Sequence, residues 1–467
     1  MATSVAAALA RIKQDLDEHL PPDAIESACR AVGHRWRERK LGPVRTVHLF
    51  LLQVLHANVA VTALRHLAGL SFSASAYCQA RARLPLAVLQ QLLLLTAGGS
   101  GGGGSSGGGG SGSGSGSGVA TCGPRTLLVD GTGTMTPDTP ALARAFGCPR
   151  GHGRDGSFPV PKVLGLFDAA TGMVVQALAF ALFVHEQSRA WMLHPLLRAG
   201  DVLVGDRAFC SFAQLALLSA RGVDAVFRAH QSTIVDFRPG RPCYDRTRGP
   251  RSRAAQKGRP RSRFVRRLAR HDQLVAWIRP RRRDGAAWLS PAQRDALPAE
   301  LLVREVRYDV PAARGWRTRR VTVVTTLLDA QAYPKEAVAE LYGLRWRVEN
   351  HWRELKVTLG MRQLKCKSVA GVLKELAAFL LAYNLVRAVM VRAAARQGTT
   401  PDRVSFADAL RWLLWAAPAG AALYDLVINP RRPGRHEPRA IKRPWDSYPR
   451  LRGDRHHYRR PTRRSAA

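Results

Sequence analysis

Between Gly98 and Gly118 the chain contains only glycine and serine. A segment of this composition has no side chains that can bury apolar surface, so it behaves as a flexible linker. It therefore separates residues 1–97 from the rest of the chain, and we leave it out of the prediction of the fold. At roughly 150 residues per domain, the 467 residues are expected to form two to four domains.

The balance of charges is strongly basic. The chain has 72 lysine and arginine residues against 34 aspartate and glutamate residues, a formal net charge of +38. Such an excess favours a polyanionic partner. Membrane surfaces attract short basic clusters, whereas these basic residues are spread over most of the chain, so nucleic acid is the favoured polyanion. With 46% hydrophobic residues the chain can also bury a substantial core, which excludes disorder throughout.

Other features bear on the compartment. The segment Met1–Leu20 is interrupted by charged residues and lacks the apolar core of a secretory signal, which predicts a cytoplasmic protein. The apolar stretches Val174–Val184 and Leu376–Val386 are predicted to be core elements rather than membrane spans. The seven cysteines are scattered without the spacing of a metal site, so we expect reduced, mostly structural thiols.

Residues 1–97 are predicted to form a small helical DNA-binding domain. Apolar residues recur with the period of a helix in four segments, separated by turn signals at Gly42 and Gly69. The segments are Asp23–Val32, Val44–Ala57, Ala63–Leu67 and Leu86–Leu95. Basic residues among them, such as Arg35, Arg65 and Arg81, are compatible with DNA contacts or with an ordinary solvated face.

After the linker, short apolar β-prone runs mix with helical patterns, which indicates an α/β fold. We divide this part into residues 119–226 as the first part of a core domain, 227–330 as a basic β-rich insertion, 331–425 as the completion of the core with a long helix, and 426–467 as a basic tail. The predicted strands are Thr126–Val129, Val163–Phe167, Met173–Ala179, Val202–Val204, Gln273–Ile278 and Val321–Leu327, and Ser188–Ala199 is predicted to be helical.

The long helix is predicted to begin at Pro334 and to end near Gly360. At about 100° per residue, four of its side chains project from one stripe about 60° wide. They are Tyr342, Arg345, Glu349 and Lys356. The stripe places a carboxylate between a phenol and two cations, although Arg345 and Glu349 could also be an ordinary exposed i,i+4 pair.

Two more carboxylates stand where predicted strands end. Asp130 follows Leu127–Val129, and Asp206 follows Val202–Gly205. Each could instead be a turn or surface residue, but strand ends are where open α/β sheets place their sites. Three carboxylates meeting at a phosphate-binding stripe would suit two Mg²⁺ ions, which prefer a few carboxylates together with water and phosphate oxygens.

At these residues the sequence resembles a known family. The pattern Tyr342-x2-Arg345-x3-Glu349-x6-Lys356 resembles the Tyr-Arg-Glu-Lys signature of bacterial insertion-sequence transposases of the Asp-Asp-Glu (DDE) class, of the insertion element four type. The resemblance covers most of the chain except the linker. It extends through the segments Tyr77–Arg81, Val129–Thr132, Leu166–Ala169, Val204–Phe209, Leu344–Glu349 and Tyr383–Leu385.

The resemblance implies an α/β fold with a ribonuclease H-like catalytic core. In this core the two aspartates lie on neighbouring strands, the glutamate lies on a later helix, and a β-rich insertion precedes that helix. It implies that Asp130, Asp206 and Glu349 are catalytic and bind two Mg²⁺ ions, with Mn²⁺ as a substitute. It also implies that Tyr342, Arg345 and Lys356 bind DNA phosphates beside the cleaved bond.

The implied function is cut-and-paste transposition by a homodimer that binds double-stranded DNA, both the terminal inverted repeats of the element and the target. Water cleaves a phosphodiester at the element's end, and the released 3′-hydroxyl then attacks target DNA. Relatives that form a hairpin intermediate stack an aromatic side chain of the insertion on a flipped base. Trp277 and Trp316 are the candidates here, with a core position as the alternative for both.

Three alternatives remain open at this point. The chain could be a catalytically inactive, transposase-derived DNA-binding protein, or a nuclease without a strand-transfer step. His185, Glu186 and Arg189, which precede the second aspartate, could support the site or lie on an ordinary surface.

Overall fold

The computed structural model describes residues 20–98, 124–149, 158–243, 258–280, 286, 288–310, 320–415 and 426–429. Nearly all of the predicted linker, Trp316 and most of the predicted basic tail lie outside these ranges. The statements below concern the described ranges.

The part before the linker is helical. Its helices are α1 (Pro22–Ala31), α2 (Pro43–Leu55), α3 (Val61–Ala68), α4 (Ala74–Arg83) and α5 (Leu86–Gly98). Proline lies in the first turn of α1 and α2, where its missing N–H removes no helical hydrogen bond. The sequence predicted all of these helices except α4, which buries Tyr77 and Ala80 and lacks a continuous apolar stripe.

The part after the linker is built on one nine-stranded sheet. Its strands are β1 (Thr126–Gly133), β2 (Lys162–Asp168), β3 (Val174–Phe180), β4 (Val202–Gly205), β5 (Asp224–Arg228), β6 (Ser262–Ala269), β7 (Asp272–Ile278), β8 (Glu300–Asp309) and β9 (Arg320–Thr325). The order across the sheet is β3-β2-β1-β4-β5-β9-β8-β7-β6. Strands β1, β4 and β5 are parallel, and the other neighbouring pairs are antiparallel. The predicted mixed α/β class is confirmed.

The predicted insertion contributes strands β6 to β9, so it is β-rich as expected. It does not form a sheet of its own. Strand β9 pairs antiparallel with β5, with Val226 opposite Thr325, and the insertion thereby lengthens the sheet that carries β1 and β4. A buried ion pair between Arg304 and Asp272 joins β8 to β7.

Helices cover the sheet and complete the chain. They are α6 (Pro140–Phe146), α7 (Gln187–Ala190), α8 (Phe212–Ser219), α9 (Pro291–Asp295), α10 (Lys335–Gly343), α11 (Arg345–Arg353), α12 (Val369–Arg396) and α13 (Phe406–Trp415). The predicted helix Ser188–Ala199 was too long, because α7 is followed by a 3₁₀ turn at Trp191–Leu196 that contains Pro195.

The predicted helix Pro334–Gly360 has the right limits, but it is interrupted twice. Leu344 separates α10 from α11, and a π-helical turn, Glu354–Thr358, follows α11. Pro334 is the N-cap of α10, and Gly360 adopts a φ of +83°, a left-handed conformation that suits glycine at the end of a helix.

Helix α12 is the central core helix. By length and hydropathy alone this helix could cross a membrane, but most of it is buried inside the fold, which fits the predicted core element Leu376–Val386. The helices before the linker pack against it and share its apolar core.

Polar contacts fix this packing of the N-terminal helices. The Asn58 side chain donates to Glu375 Oε1 on α12 at 2.6 Å. The Arg81 guanidinium lies over the Phe50 ring at 3.8 Å and donates to Cys366 Sγ at 2.9 Å. Arg81 therefore joins the N-terminal helices to the later part of the chain and is not part of a solvated face.

Candidate active site

The two predicted aspartates lie next to each other where the parallel pairing of β1 and β4 ends. In the register of β1 and β4, Val129 is opposite Gly205, so Asp130 and Asp206 are the next residues on neighbouring strands. The Asp130 carboxylate accepts from the backbone N–H of Gly131 at 2.9 Å, and the Asp206 carboxylate accepts from that of Ala208 at 2.7 Å. The strand-end prediction holds for Asp206, which directly follows β4. It is wrong for Asp130, because β1 continues to Gly133 through its antiparallel pairing with β2.

The surroundings of Asp130 disfavour its negative charge. Burial of the carboxyl, together with repulsion by Asp206 and Glu186, raises its pKa from 3.8 to about 7. The hydrogen bond from Gly131 and the attraction of Arg345 oppose this rise without cancelling it. The two strands therefore hold negative charges close together without enough positive charge to balance them.

Helices α10 and α11 bring the predicted stripe to this end of the sheet. Helix α11 packs against β1, and its Val348 and Trp352 share a core cluster with Leu128 of that strand. On the same helix Arg345 is almost buried, with its guanidinium 4.1 Å from the centre of the Trp346 ring. An exposed i,i+4 ladder, the alternative that the sequence left open, does not describe this arginine.

The members of the stripe differ in their surroundings. Tyr342 is buried, and its pKa is raised by burial and by nearby Asp206 against the attraction of Arg345. Lys356 Nζ donates to Thr132 Oγ1 at 3.1 Å, two residues beyond Asp130 on β1. Three of the four side chains therefore reach the neighbourhood of the two aspartates.

Glu349, the fourth member, is more exposed. Its side chain is 54% exposed and accepts from Arg345 Nη2 at 3.4 Å. Arg345 thus interacts with Glu349 and with Asp130. In the part of the chain that the structure describes, no three His, Cys, Asp or Glu side chains are close enough to hold one metal ion. A shared metal site that includes Glu349 stays a prediction.

Glu186 also belongs to this neighbourhood. Its carboxylate lies over Gly131, where a Cβ atom would come within 2.5 Å of the carboxylate carbon, so any larger residue at 131 would displace the Glu186 side chain. Burial and Asp206 raise its pKa against the attraction of Lys162. His185 and Arg189 are exposed. The sequence offered one signal for Glu186, its position before the second aspartate, and none for Lys162.

Trp277 lies in the core of the insertion. Its indole N–H donates to Glu305 Oε1 at 3.0 Å, and its side chain is almost fully buried. This is the core position that the sequence left open, and a buried ring of this kind is not available for stacking on a flipped base. Trp316, the other candidate, lies outside the described residues.

Comparison with known proteins decides the family. A family model described as the transposase DDE domain matches residues 121–385, more than half of the chain. The chain belongs to this family. Its members are DNA transposases, enzymes that cut and transfer DNA strands, and the resemblance carried by Tyr342, Arg345, Glu349 and Lys356 is confirmed at the level of the family.

A curated relative agrees with this assignment. The transposase InsG for insertion sequence element IS4 of Escherichia coli (strain K12) is 26% identical over 350 residues, which cover 70% of each chain. A cryo-EM structure of the piggyBac transposase synaptic complex with hairpin DNA matches 86% of this chain and 79% of its own chain, with 9% identity and a TM-score of 0.42. This likeness is too weak to indicate a shared fold.

Transposases of the DDE family generally use divalent metal ions. The donor set on β1 and β4 fits such ions, since Asp130 and Asp206 offer hard oxygen ligands. Asp206 and Glu186 also repel the charge of Asp130, and a bound cation would offset this repulsion.

Proposed function

We propose that this transposase binds the terminal inverted repeats of an insertion sequence and catalyses metal-dependent strand cleavage and strand transfer. One observation carries the proposal. Asp130 and Asp206 stand on adjacent parallel strands, and Arg345 of the neighbouring helix interacts with both Asp130 and Glu349. A ribonuclease H-like core is supported by the same layout: two aspartates on neighbouring strands, a glutamate on a later helix, and strands β6 to β9 inserted between them.

In this proposal Asp130, Asp206 and Glu349 would hold two Mg²⁺ ions. When bound, such a pair of ions activates the attacking oxygen and stabilises the leaving oxygen of a phosphodiester. The remaining roles fall to the stripe on α10, α11 and the π-helical turn. Arg345 and Lys356 supply positive charge for phosphate oxygens, and Tyr342 supplies a phenolic hydroxyl as a hydrogen-bond donor.

The reaction consists of two phosphoryl transfers. In the first, water attacks the phosphodiester at the element's end, and the bond to the 3′ oxygen breaks to leave a 3′-hydroxyl. In the second, that hydroxyl attacks a target phosphodiester and displaces another 3′ oxygen. A hairpin intermediate, a further part of the proposal, would add two transfers between these: the 3′-hydroxyl attacks the opposite strand and displaces the 3′ oxygen of the flanking DNA, and water then hydrolyses the new bond to restore the 3′-hydroxyl. Trp316 is the candidate for stacking on a flipped base.

The domain plan and the assembly are proposed as well. Residues 1–97 would bind the terminal repeats, 119–226 with 331–425 would form the catalytic core, and 227–330 would be its insertion. A homodimer would hold two transposon ends in the bacterial cytoplasm, bound to the nucleoid. The net charge of +38 supports DNA as the partner, and binding should weaken steeply as salt rises.

The test is incubation of the purified protein with a duplex that contains the element's end and Mg²⁺. We expect nicking at the end, loss of nicking in Asp206→Ala and Glu349→Gln with DNA binding retained, and normal nicking in the control Glu340→Gln. Glu340 is an exposed carboxylate on α10.

Three outcomes would contradict parts of the proposal. Absence of nicking by the intact protein would favour an inactive DNA-binding descendant. Nicking that survives Asp206→Ala would remove the site assignment. Cut products without any joined DNA would indicate a nuclease instead of a transposase.

A further inference from the structure

A cluster of charged side chains around the buried Arg387 lies on the side of α11 that faces away from the stripe. It consists of Arg347, Glu354, Arg387 and Asp402, and we call it the ion cluster. At about 100° per residue, Arg347 and Glu354 lie roughly 20° apart on the helix surface, and roughly 150° from Glu349. The helix therefore carries the candidate catalytic glutamate on one side and the ion cluster nearly on the other.

The ion cluster contains two positive and two negative side chains, and each arginine contacts a carboxylate. Arg387 Nη2 donates to Asp402 Oδ1 at 2.9 Å, and Arg387 Nη1 lies 4.0 Å from Glu354 Oε2. Arg347 Nη1 lies 3.2 Å from Asp402 Oδ2. Burial would raise the pKa of Asp402, but the positive charge of Arg387, with smaller contributions from His351 and Arg347, outweighs it, and the pKa is lowered. The carboxylate is therefore held in its charged form.

The turn between β2 and β3 anchors the ion cluster. The Asp168 carboxylate accepts from the backbone N–H of Ala170 and Thr171, which fixes the shape of the turn. Two carbonyls of the turn then accept from the cluster. Arg347 donates to Ala169 O at 3.2 Å, and Arg387 Nε donates to Thr171 O at 2.8 Å.

Gly172 and Tyr383 complete the anchor. Gly172 has a φ of +70°, and a Cβ atom there would come within 2.2 Å of the Arg387 guanidinium. The Tyr383 hydroxyl lies 3.2 Å from Gly172 O and 3.3 Å from Glu354 Oε2, within hydrogen-bond distance of both. Gly172 therefore restricts the position of the Arg387 side chain, and Tyr383 restricts that of Glu354.

We propose that the ion cluster sets the rotation of α11 about its axis and thereby positions Glu349 and Lys356 at the active site. This inference rests on the proposed function of those two residues. Arg347, Glu354, Arg387 and Asp402 are positioning residues in this view and do not touch DNA.

The ion cluster can set the rotation of α11 because charged hydrogen bonds are more directional than apolar packing. Val348 and Trp352 attach α11 to the sheet through apolar packing, which is favourable but non-directional. Charged hydrogen bonds have defined geometry, and breaking one partner of a buried ion pair leaves an uncompensated charge. Glu354 is also the first residue of the π-helical turn that carries Lys356, so the ion cluster holds the start of that turn.

The ion cluster and its anchor draw residues from three of the segments named above for the family resemblance. Arg347 stands inside the Leu344–Glu349 segment, Asp168 in Leu166–Ala169 and Tyr383 in Tyr383–Leu385. These three segments, which are far apart in sequence, meet at the ion cluster.

The test combines cleavage with hydrogen exchange in Asp402→Asn. At a temperature where the variant is folded, we expect the cleavage rate to fall about tenfold or more while the Kd for end-containing DNA stays within about twofold. Displacement of Glu349 affects the reaction rather than binding, and Lys356 is only one of the 72 lysine and arginine residues that can contact DNA. Amides of residues 349–361 should exchange at least about tenfold faster, and those of β7 and β8 should not change.

A matched control is Asp309→Asn, which makes the same Asp-to-Asn change but in an exposed ion pair with Arg320. It should leave cleavage and exchange unchanged. Arg347→Gln is the second variant, at the edge of the ion cluster where the side chain is 40% exposed, in case Asp402→Asn does not fold.

Wild-type cleavage and exchange in both cluster variants would overturn the inference. So would a loss of rate that is matched by an equal loss of DNA affinity or by faster exchange throughout the fold, because either result indicates a general structural role. The exchange experiment needs neither DNA nor metal. If the wild-type protein does not cut DNA, the proposed function fails, while exchange still decides whether the ion cluster holds the helix.

Discussion

Replacement of Asp130 with asparagine is expected to stabilise the metal-free protein at neutral and alkaline pH. The folded protein holds this carboxyl beside Asp206 and Glu186 and away from water, which raises its pKa from 3.8 to about 7. The charged form is therefore less favourable in the folded state than in the unfolded chain. Asparagine removes the charge and keeps an oxygen that can accept from the Gly131 N–H.

The sign and size of the effect follow from the two pKa values. Below pH 3.8 the carboxyl is protonated in both states and contributes nothing. Between pH 3.8 and about 7 it is protonated in the folded state and ionised in the unfolded state, so the wild type loses stability as the pH rises, by about 1.4 kcal/mol per pH unit. Above pH 7 the loss is complete, on the order of 4 kcal/mol.

The assay is urea denaturation of wild type and Asp130→Asn in EDTA at pH 5 and pH 8. The gain in unfolding free energy should be larger at pH 8 than at pH 5, by about 3 kcal/mol. Asp295→Asn, the same change at an exposed position on α9, should show little dependence on pH. An equal effect of Asp130→Asn at both pH values would refute the reasoning about charge at this site.

The other predictions concern packing and metal. Trp277→Ala should lower the unfolding free energy by about 3–5 kcal/mol, because it leaves a cavity at a buried site. The control Trp346→Ala, at a half-exposed ring, should lower it by about 1 kcal/mol or less. Equal losses of the two variants in urea denaturation would contradict the burial of Trp277. Gly172→Ala should destabilise the fold more than Gly69→Ala. Both glycines have a positive φ, but only Gly172 lies against a guanidinium, that of Arg387. Equal melting temperatures of the two variants would contradict this contact. Mg²⁺ should raise the melting temperature of the wild type at pH 8 but not that of Asp130→Asn, and an equal rise in both would place the ion elsewhere.

Much of the local structure could be predicted from the chain alone. Runs such as Thr126–Val129 and Val202–Val204 are strands because their apolar β-prone residues are flanked by polar and turn-forming ones. The spacing of Tyr342, Arg345 and Glu349 likewise placed them on one side of a helix. These are short-range properties, which depend on residues within one or two turns of each other.

Errors arose where distant contacts overrode local pattern. The sequence could not predict α4, because its burial of Tyr77 depends on α2, nor the π-helical turn at Glu354, which forms where Arg387 and Tyr383 approach from α12. It also could not distinguish a core position from a DNA-facing one for Trp277, since Glu305, its hydrogen-bond partner, lies on another strand.

The sequence by itself determined which acidic residues follow apolar β-prone runs, the stripe on the helix and the excess of positive charge, because these are fixed by composition and by the periods of strand and helix. Only the tertiary structure decided that Asp130 and Asp206 are neighbours, that the insertion lengthens the same sheet, and that Arg347 and Glu354 meet Arg387 and Asp402 behind the helix. The reason is that pairing between strands and the burial of matched charges depend on contacts between segments far apart in the chain, which no local pattern specifies.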